Sequence, residues 1–346
     1  MKRLAAIAVL GIALVACGSG DSSSTTPTSS ATTAAATVAA PTVVASDAPT
    51  TTPPPSTPST AGATRTIQTD RGPVDVPEAA ERVVAADYYG QYTLVDLGLI
   101  PVGISGGAPA NEPYASQLAG VPVVGDYNAP FVEQVAAVKP DLIIRTIDTD
   151  DDLYKQLSAV APTVEISFQK LSLKDVITEI GDAVGRSDET ARLTQAYDAH
   201  AARIATSNAD ALATTRWVTF SPAEGGQWFL LSPAWTDNAV LADAGVHFAD
   251  AVVHLGEASD DYSAEQSLEQ LPTLADADVI LVPADPTGAV DATMQPFLDS
   301  PLWKALPAVV AGNVFPAPSG TSSLGMADEL LDRLEQIIPE IRPVAR

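Results

Sequence analysis

A single cysteine, Cys17, serves 346 residues, so no disulfide can form within the chain and none can staple its fold. Basic residues are scarce too: 18 Lys and Arg stand against 43 Asp and Glu, a formal charge of −25. That sign repels nucleic acid and anionic lipid headgroups. It also disfavours a polyanionic small ligand, unless the few arginines are gathered in one cleft. The three histidines, His200, His247 and His254, are too few and too scattered for a zinc-trapping protein, and no resident metal or cofactor is expected. The apolar run Leu4–Ala16 falls short of the ~20 residues that cross a bilayer as a permanent helix.

What is present starts with that run. Lys2 and Arg3 precede it and Cys17 ends it, which predicts a signal peptide over 1–16. Leu14-Val15-Ala16-Cys17 resembles the bacterial lipobox, and the resemblance implies cleavage before Cys17 and lipidation of its thiol. Two or three acyl chains, at about 0.8 kcal/mol per buried methylene, hold a soluble domain on a membrane. The expected location is the extracytoplasmic face of the cell membrane; an ordinary secretory signal with an incidental cysteine is the alternative. After Cys17 the chain is Ser, Thr, Pro, Ala and Val with two charges, Asp21 and Asp47. Such a stretch cannot bury enough apolar surface to offset its conformational entropy, so 17–64 reads as the lipidated cysteine and a disordered tether. The whole −25 then belongs to 65–346, which holds 16 basic and 41 acidic residues.

In that region short apolar runs alternate with helical patterns. "RVVAADYY" (82–89), "PVGIS" (101–105), "PDLIIRT" (140–146) and "APTVEIS" (161–167) read as strands, with helices near 90–97, 130–138 and 150–159 between them. Fully apolar strands, each followed by a helix, indicate a parallel sheet covered on both faces. The theme returns in "RWVTFS" (216–221), "QWFLLS" (227–232), "DVILVPA" (278–284) and "NVFPA" (313–317), with helices near 236–244, 267–275, 297–306 and 326–338. Between the halves no strand signal occurs. Leu173, Val176, Ile177, Ile180, Ala183 and Val184 form one stripe, Gly185 interrupts it, and Ser187 can cap a second helix reaching about Ser207. The expected fold class is α/β: two lobes with mainly parallel sheets, 65–170 and 211–346, joined by one long bridging helix within 171–210, with a ligand cleft between the lobes.

The pieces "ERVVAADYYGQYTLVDLGLIPVGIS" (81–105), "VEQVAAVKPDLII" (132–144), "LSAVAPTVEI" (157–166), "LEQLPTLADADVILV" (268–282) and "SPLWKALPAVVAGNVF" (300–315) together resemble the binding proteins of iron–siderophore, haem and cobalamin ABC importers. The likeness covers nearly all of 65–343. It implies a monomeric, non-enzymatic carrier that captures a ferric siderophore and hands it to an ABC permease with its ATPase. The iron would be held by the chelator, with no protein ligand to metal. Haem or cobalamin is the alternative cargo. The low basic content favours a neutral or cationic ferric hydroxamate over a catecholate of charge about −3.

The resemblance places an acidic docking residue on each lobe, here Glu133 in "VEQ" and Glu269 in "LEQL", with Glu265 a rival for the second. Glutamate in a first helical turn is also what the helix dipole favours. Ligands of open α/β sheets bind beyond the carboxyl ends of the strands, which brings forward Tyr88, Tyr89 and Arg145; Tyr92 follows them in the same segment. Trp228 and Trp235 are the expected aromatic contacts of the second lobe, with the loop Ser319–Ser323 beside them, whereas Trp303 reads as packing. "GISGG" (103–107) satisfies the pattern of a hydrolase nucleophile elbow around Ser105. Pro109 and Pro113 follow where that motif needs a helix, so it reads as a loop.

Overall fold

The computed structural model describes residues 63–107, 113–168, 170–258 and 262–345. Cys17, the signal segment and the tether up to residue 62 lie outside them.

The described chain opens with a hairpin, β1 (Thr64–Thr69) and β2 (Gly72–Pro77), paired antiparallel around a two-residue turn. It begins one residue inside the expected tether. Ile67, Val74 and Val76 pack on the first lobe. Arg71 in the turn bonds Glu165 at 2.9 Å and Asp151 at 2.6 Å, fastening the hairpin to the sheet. Alternation over 64–77 was the available strand signal, but only three positions of it are large and apolar.

The first lobe is a five-stranded parallel sheet: β3 (Val83–Ala85), β4 (Gly103–Ser105), β5 (Val123–Gly125), β6 (Leu142–Arg145) and β7 (Thr163–Glu165), in the order β5-β4-β3-β6-β7. Both faces are covered, as the apolar runs imply. Val83, Ala85, Leu142 and Ile144 enter one core cluster, while Val84, Ala86 and Ile143 enter another. The order reverses at β3, so the topological switch point lies between the carboxyl ends of β3 and its neighbours.

The second lobe is mixed. β8 (Arg216–Pro222), β12 (Val279–Pro283) and β13 (Val314–Ala317) run parallel; β9 (Gln227–Leu231) and β11 (Ser263–Ser267) are antiparallel additions, and β10 (His247–Phe248) is a short parallel edge on β8. The two lobes have separate sheets.

Between them run the helices Leu173–Ala183 and Ser187–Ser207. The second has 21 residues and is the bridging helix. Its N-cap position is Arg186, and Ser187 bonds Asp182 instead of capping. The first helix is shared: Val176 and Ile180 sit in the core of the first lobe, Leu173 and Ile177 in that of the second. Among the described residues no helix is long and apolar enough to cross a membrane.

A direct tie also joins the lobes. The C-terminal helix Leu324–Ile337 begins where Asp96 of the first lobe accepts a hydrogen bond from Gly325 N at 2.7 Å. Tyr114 donates to the same carboxylate and stands 3.3 Å from Ser323 Oγ, while Thr93 Oγ1 donates to Ser322 O at 3.0 Å. Gly325 is required for this closeness, because a Cβ there would stand 2.1 Å from the Tyr114 hydroxyl and 2.6 Å from Asp96.

Candidate functional site

β3 delivers Ala86-Asp87-Tyr88-Tyr89 to the switch point. Asp87 is fully buried. Its Oδ1 accepts from Tyr89 N at 3.1 Å, Gly90 N at 3.2 Å and Thr146 Oγ1 at 2.7 Å, and Oδ2 accepts from Thr146 N. One carboxylate thereby stitches the turn after β3 to the turn after β6.

The tyrosines stand on that stitch. Tyr88 stacks on Tyr127 at 4.6 Å between centroids and meets Tyr89 and Tyr92 edge-on at 5.9 and 5.4 Å. Tyr89 meets Tyr127 and Phe168 edge-on, each at 5.5 Å, and the Tyr127 hydroxyl donates to that of Tyr89 at 2.5 Å. Offset and edge-to-face pairs of this kind add about 0.5–1.5 kcal/mol each beyond burial, so the cluster is a rigid platform. Tyr127 is 43 % exposed and forms its open face. Gly106, at φ +78°, lets the turn after β4 pass beneath: a Cβ there would approach the Tyr88 ring at 3.1 Å. Desolvation pushes the Tyr89 and Tyr127 phenols above the ordinary tyrosine range; Tyr89 and Asp87 add to the rise at Tyr127, whereas at Tyr89 the hydrogen bond from Tyr127 partly offsets it. The platform therefore offers neutral hydroxyls at physiological pH rather than phenolates.

Arg145 lies under this platform rather than on it. It is 3 % exposed; Nη1 donates to Ala86 O at 2.6 Å, Nη2 to Asn128 O at 3.1 Å, and Nε to Thr149 Oγ1. A side chain so committed positions the 126–130 loop that carries Tyr127. The guanidinium's charge is answered through Asp87, Glu165 and Asp150, while burial pulls its pKa down. Tyr92, also expected near the ligand, is core at 1 % exposure.

In the second lobe Trp228 is a core residue. It is 0 % exposed, stacks on Phe220 at 5.2 Å and donates Nε1–H to Ser267 O at 2.9 Å. Strand alternation left its face open, and the mixed sheet, with an added strand beyond β9, buries it. Trp235 is half-buried at the N-cap of the helix Thr236–Asp243. Two residues on, Asp237 accepts from Gly320 N at 3.0 Å and Thr321 N at 2.8 Å. The Ser319–Ser323 loop is consequently split: Ser319 and Gly320 are exposed, whereas Thr321, Ser322 and Ser323 are buried in the joint between lobes. Trp303 is core, as expected.

Glu133 and Glu269 are both exposed near the start of a helical segment, Val132–Ala137 and the 3₁₀ turn Leu268–Leu274, and Glu265 is exposed on the edge strand β11. A hydrogen bond with Ser267 and backbone bonding lower the Glu269 pKa, so it stays charged. Ser105 is 0 % exposed, and Gly106 and Gly107 continue at positive φ without a helix, so no nucleophile elbow forms. His247 lies in β10 and His254 in the helix Asp250–Ala258, both exposed.

Tyr127, Phe168 and Asp87 went unremarked in the sequence. Each follows the carboxyl end of a strand, but β5 is three residues long and gave no apolar run to mark Tyr127.

The periplasmic binding protein family model matches residues 83–321. YhfQ of Bacillus subtilis, a lipoprotein provisionally named as an ABC transporter substrate-binding protein, is 28 % identical over 285 residues, 78 % of this chain and 87 % of that one. The iron(3+)-hydroxamate-binding protein FhuD of the same organism is 26 % identical over 261 residues, 74 % and 80 % of the two chains. Among solved structures, the siderophore periplasmic binding protein from the fuscachelin gene cluster of Thermobifida fusca superposes with a TM-score of 0.66 at 28 % identity, covering 77 % of this chain and 98 % of that chain.

Proposed function

The chain belongs to the periplasmic binding protein family, and from that membership we propose that it captures a ferric siderophore on the tyrosine platform and delivers it to an ABC permease. The observation that carries this reading is the platform's position. Tyr88, Tyr89, Tyr127 and Phe168 gather at the switch point of one lobe, where the second lobe is fastened close by. Flat rings with hydroxyl edges suit a bulky chelate that is greasy on its faces and polar at its rim.

Charge narrows the cargo. The segments that follow the strands of the first lobe, 86–89, 106–113, 126–130, 146–150 and 166–168, contain no lysine or arginine; neither do 223–226, 284–291 and 318–323 of the second. Lys170, just past Phe168, is already paired with Asp148 and Asp70 at 3.3 Å. A tris-catecholate chelate of about −3 would therefore find little positive charge there, whereas a neutral or cationic ferric hydroxamate meets no repulsion. Titrating tryptophan fluorescence with ferric hydroxamates, ferric catecholates, ferric citrate, hemin and cobalamin is the test. Hydroxamates should bind tightest, and Tyr127→Ala should weaken them about tenfold or more, as loss of an aromatic anchor does. Tightest binding of a catecholate would sink the charge argument, and binding of none of the ferric chelates would sink the function.

In this reading Cys17 carries the lipid that holds the protein at the extracytoplasmic membrane face, and Glu133 and Glu269 are the docking contacts. Exposed charges at a rim act on association more than on cargo affinity. In vesicles holding the cognate permease, Glu133→Ala with Glu269→Ala should cut uptake at least tenfold and leave the fluorescence titration unchanged. Undiminished uptake would remove these glutamates from the docking surface.

A further inference from the structure

Away from the cleft, the bridging helix meets the C-terminal helix at an unusual group of side chains. His200 has 14 % of its side chain exposed, and its Nδ1 lies 2.9 Å from Asp328 Oδ1. An ionised carboxylate can only accept, so Nδ1–H is the donor, and Nε2 holds either its lone pair or a second proton. That Nε2 is out of reach of solvent and has no hydrogen-bond partner. It faces Asp332 Oδ1 and Glu335 Oε2, each at 3.7 Å. This buried nitrogen facing two carboxylates calls for a positive charge, supplied either by a proton on the ring or by a metal ion among the donors. We propose that His200, Asp332 and Glu335 bind one divalent transition-metal ion, of the zinc type, that clips the bridging helix to the C-terminal helix.

The geometry suits that ion. Donor atoms of the three side chains lie within 4.8 Å of one another, and donors about 2.0–2.2 Å from a tetrahedral zinc stand roughly 3.4 Å apart. Asp332 and Glu335 are three residues apart on one helix and share a face. One imidazole with carboxylates is a donor set that zinc and its neighbours accept. Asp328 on Nδ1 orients the ring from behind, as the outer partner of a metal-bound histidine does. Arg203 bonds both oxygens of Glu335, Nη2 to Oε2 at 3.2 Å, and keeps that carboxylate ionised. Three carboxylates against this one guanidinium leave two negative charges, which a divalent ion balances. Asp332 is exposed and gives the ion a way in.

The test uses the full chain, stripped with a chelator and titrated with Zn²⁺ by calorimetry and by metal analysis after gel filtration. One equivalent should be retained and should raise the melting temperature by several degrees. His200→Gln and Asp332→Asn should each weaken retention at least tenfold; the second alters an exposed side chain, so folding is not at risk. Co²⁺ in place of zinc should give visible bands that His200→Gln abolishes. The proposal is overturned if no zinc is retained, or if both variants retain it equally, the mark of scattered surface carboxylates on a chain of charge −25. It is also overturned if stability answers to pH and not to metal, which would put a proton on Nε2.

Discussion

Asp87→Ala is expected to lower the stability of the protein by about 3–5 kcal/mol, because it removes the one carboxylate that serves two buried turns and a buried guanidinium. Three backbone N–H groups, of Tyr89, Gly90 and Thr146, and the Thr146 hydroxyl lose their acceptor together. Arg145 would also lose the first of the opposite charges that support its ionised form. Urea unfolding followed by tryptophan fluorescence reads the loss as a lower midpoint. Asp87→Asn keeps an acceptor oxygen but no charge, and turns an amide donor toward some of the same N–H groups, so it should fall between parent and alanine variant. Where the alanine variant is still folded, its affinity for the ferric chelate should fall as well, since Tyr88 and Tyr89 stand on the stitched turn. A midpoint within about 1 kcal/mol of the parent's would mean that Asp87 does not hold the platform.

Trp228→Ala and Trp235→Ala should fail in opposite ways. The first empties a fully buried site against Phe220 and strips Ser267 O of its donor, a change that costs about 3–5 kcal/mol in a core. For a domain of this size that is a fall of roughly 10 °C in melting temperature. Ser267 begins the capped turn that bears Glu269, so the damage spreads toward Glu269, the proposed docking contact, and not toward the cleft. Cargo affinity of the folded fraction should be unchanged. The half-buried Trp235 should cost little stability when truncated and should alter the fluorescence response to cargo. A Trp228→Ala protein with parental melting and lost affinity would return Trp228 to the ligand site.

The division between what the sequence disclosed and what it hid follows from physics at particular residues. The runs at 82–89, 140–146, 216–221 and 278–284 are apolar on both faces because their strands are covered on both faces, and that pattern is legible. The bridging helix over 187–207 is legible for a related reason: Gly185 interrupts the chain just before it and no strand signal competes. β5, β10 and β11 are short or polar edge strands whose existence depends on a neighbour to pair with. Burial was the harder quantity. Arg145 and Trp228 were expected at the cleft on the strength of residue type and strand position. The structure shows each enclosed by elements distant in sequence, the 126–130 loop for one and β11 for the other. Tyr88 and Tyr89 were placed by the rule that ligands meet the carboxyl ends of strands; the partner that completes them, Tyr127, is 38 residues from Tyr89 and declared itself only in three dimensions.

Asp96 and Gly325 have a further bearing on transport. Swinging the halves apart would strip Gly325 N, in the first turn of the C-terminal helix, of its Asp96 acceptor, although Ser323 would still cap that helix. That is a loss of about 1.5–3 kcal/mol, and the same motion would pull a shared helix out of two cores at once. The empty and laden forms must then differ little in gape, so a membrane partner cannot distinguish them by the width of the jaws. Recognition of a full carrier has to come from the cargo's own surface, or from rim side chains that the cargo displaces.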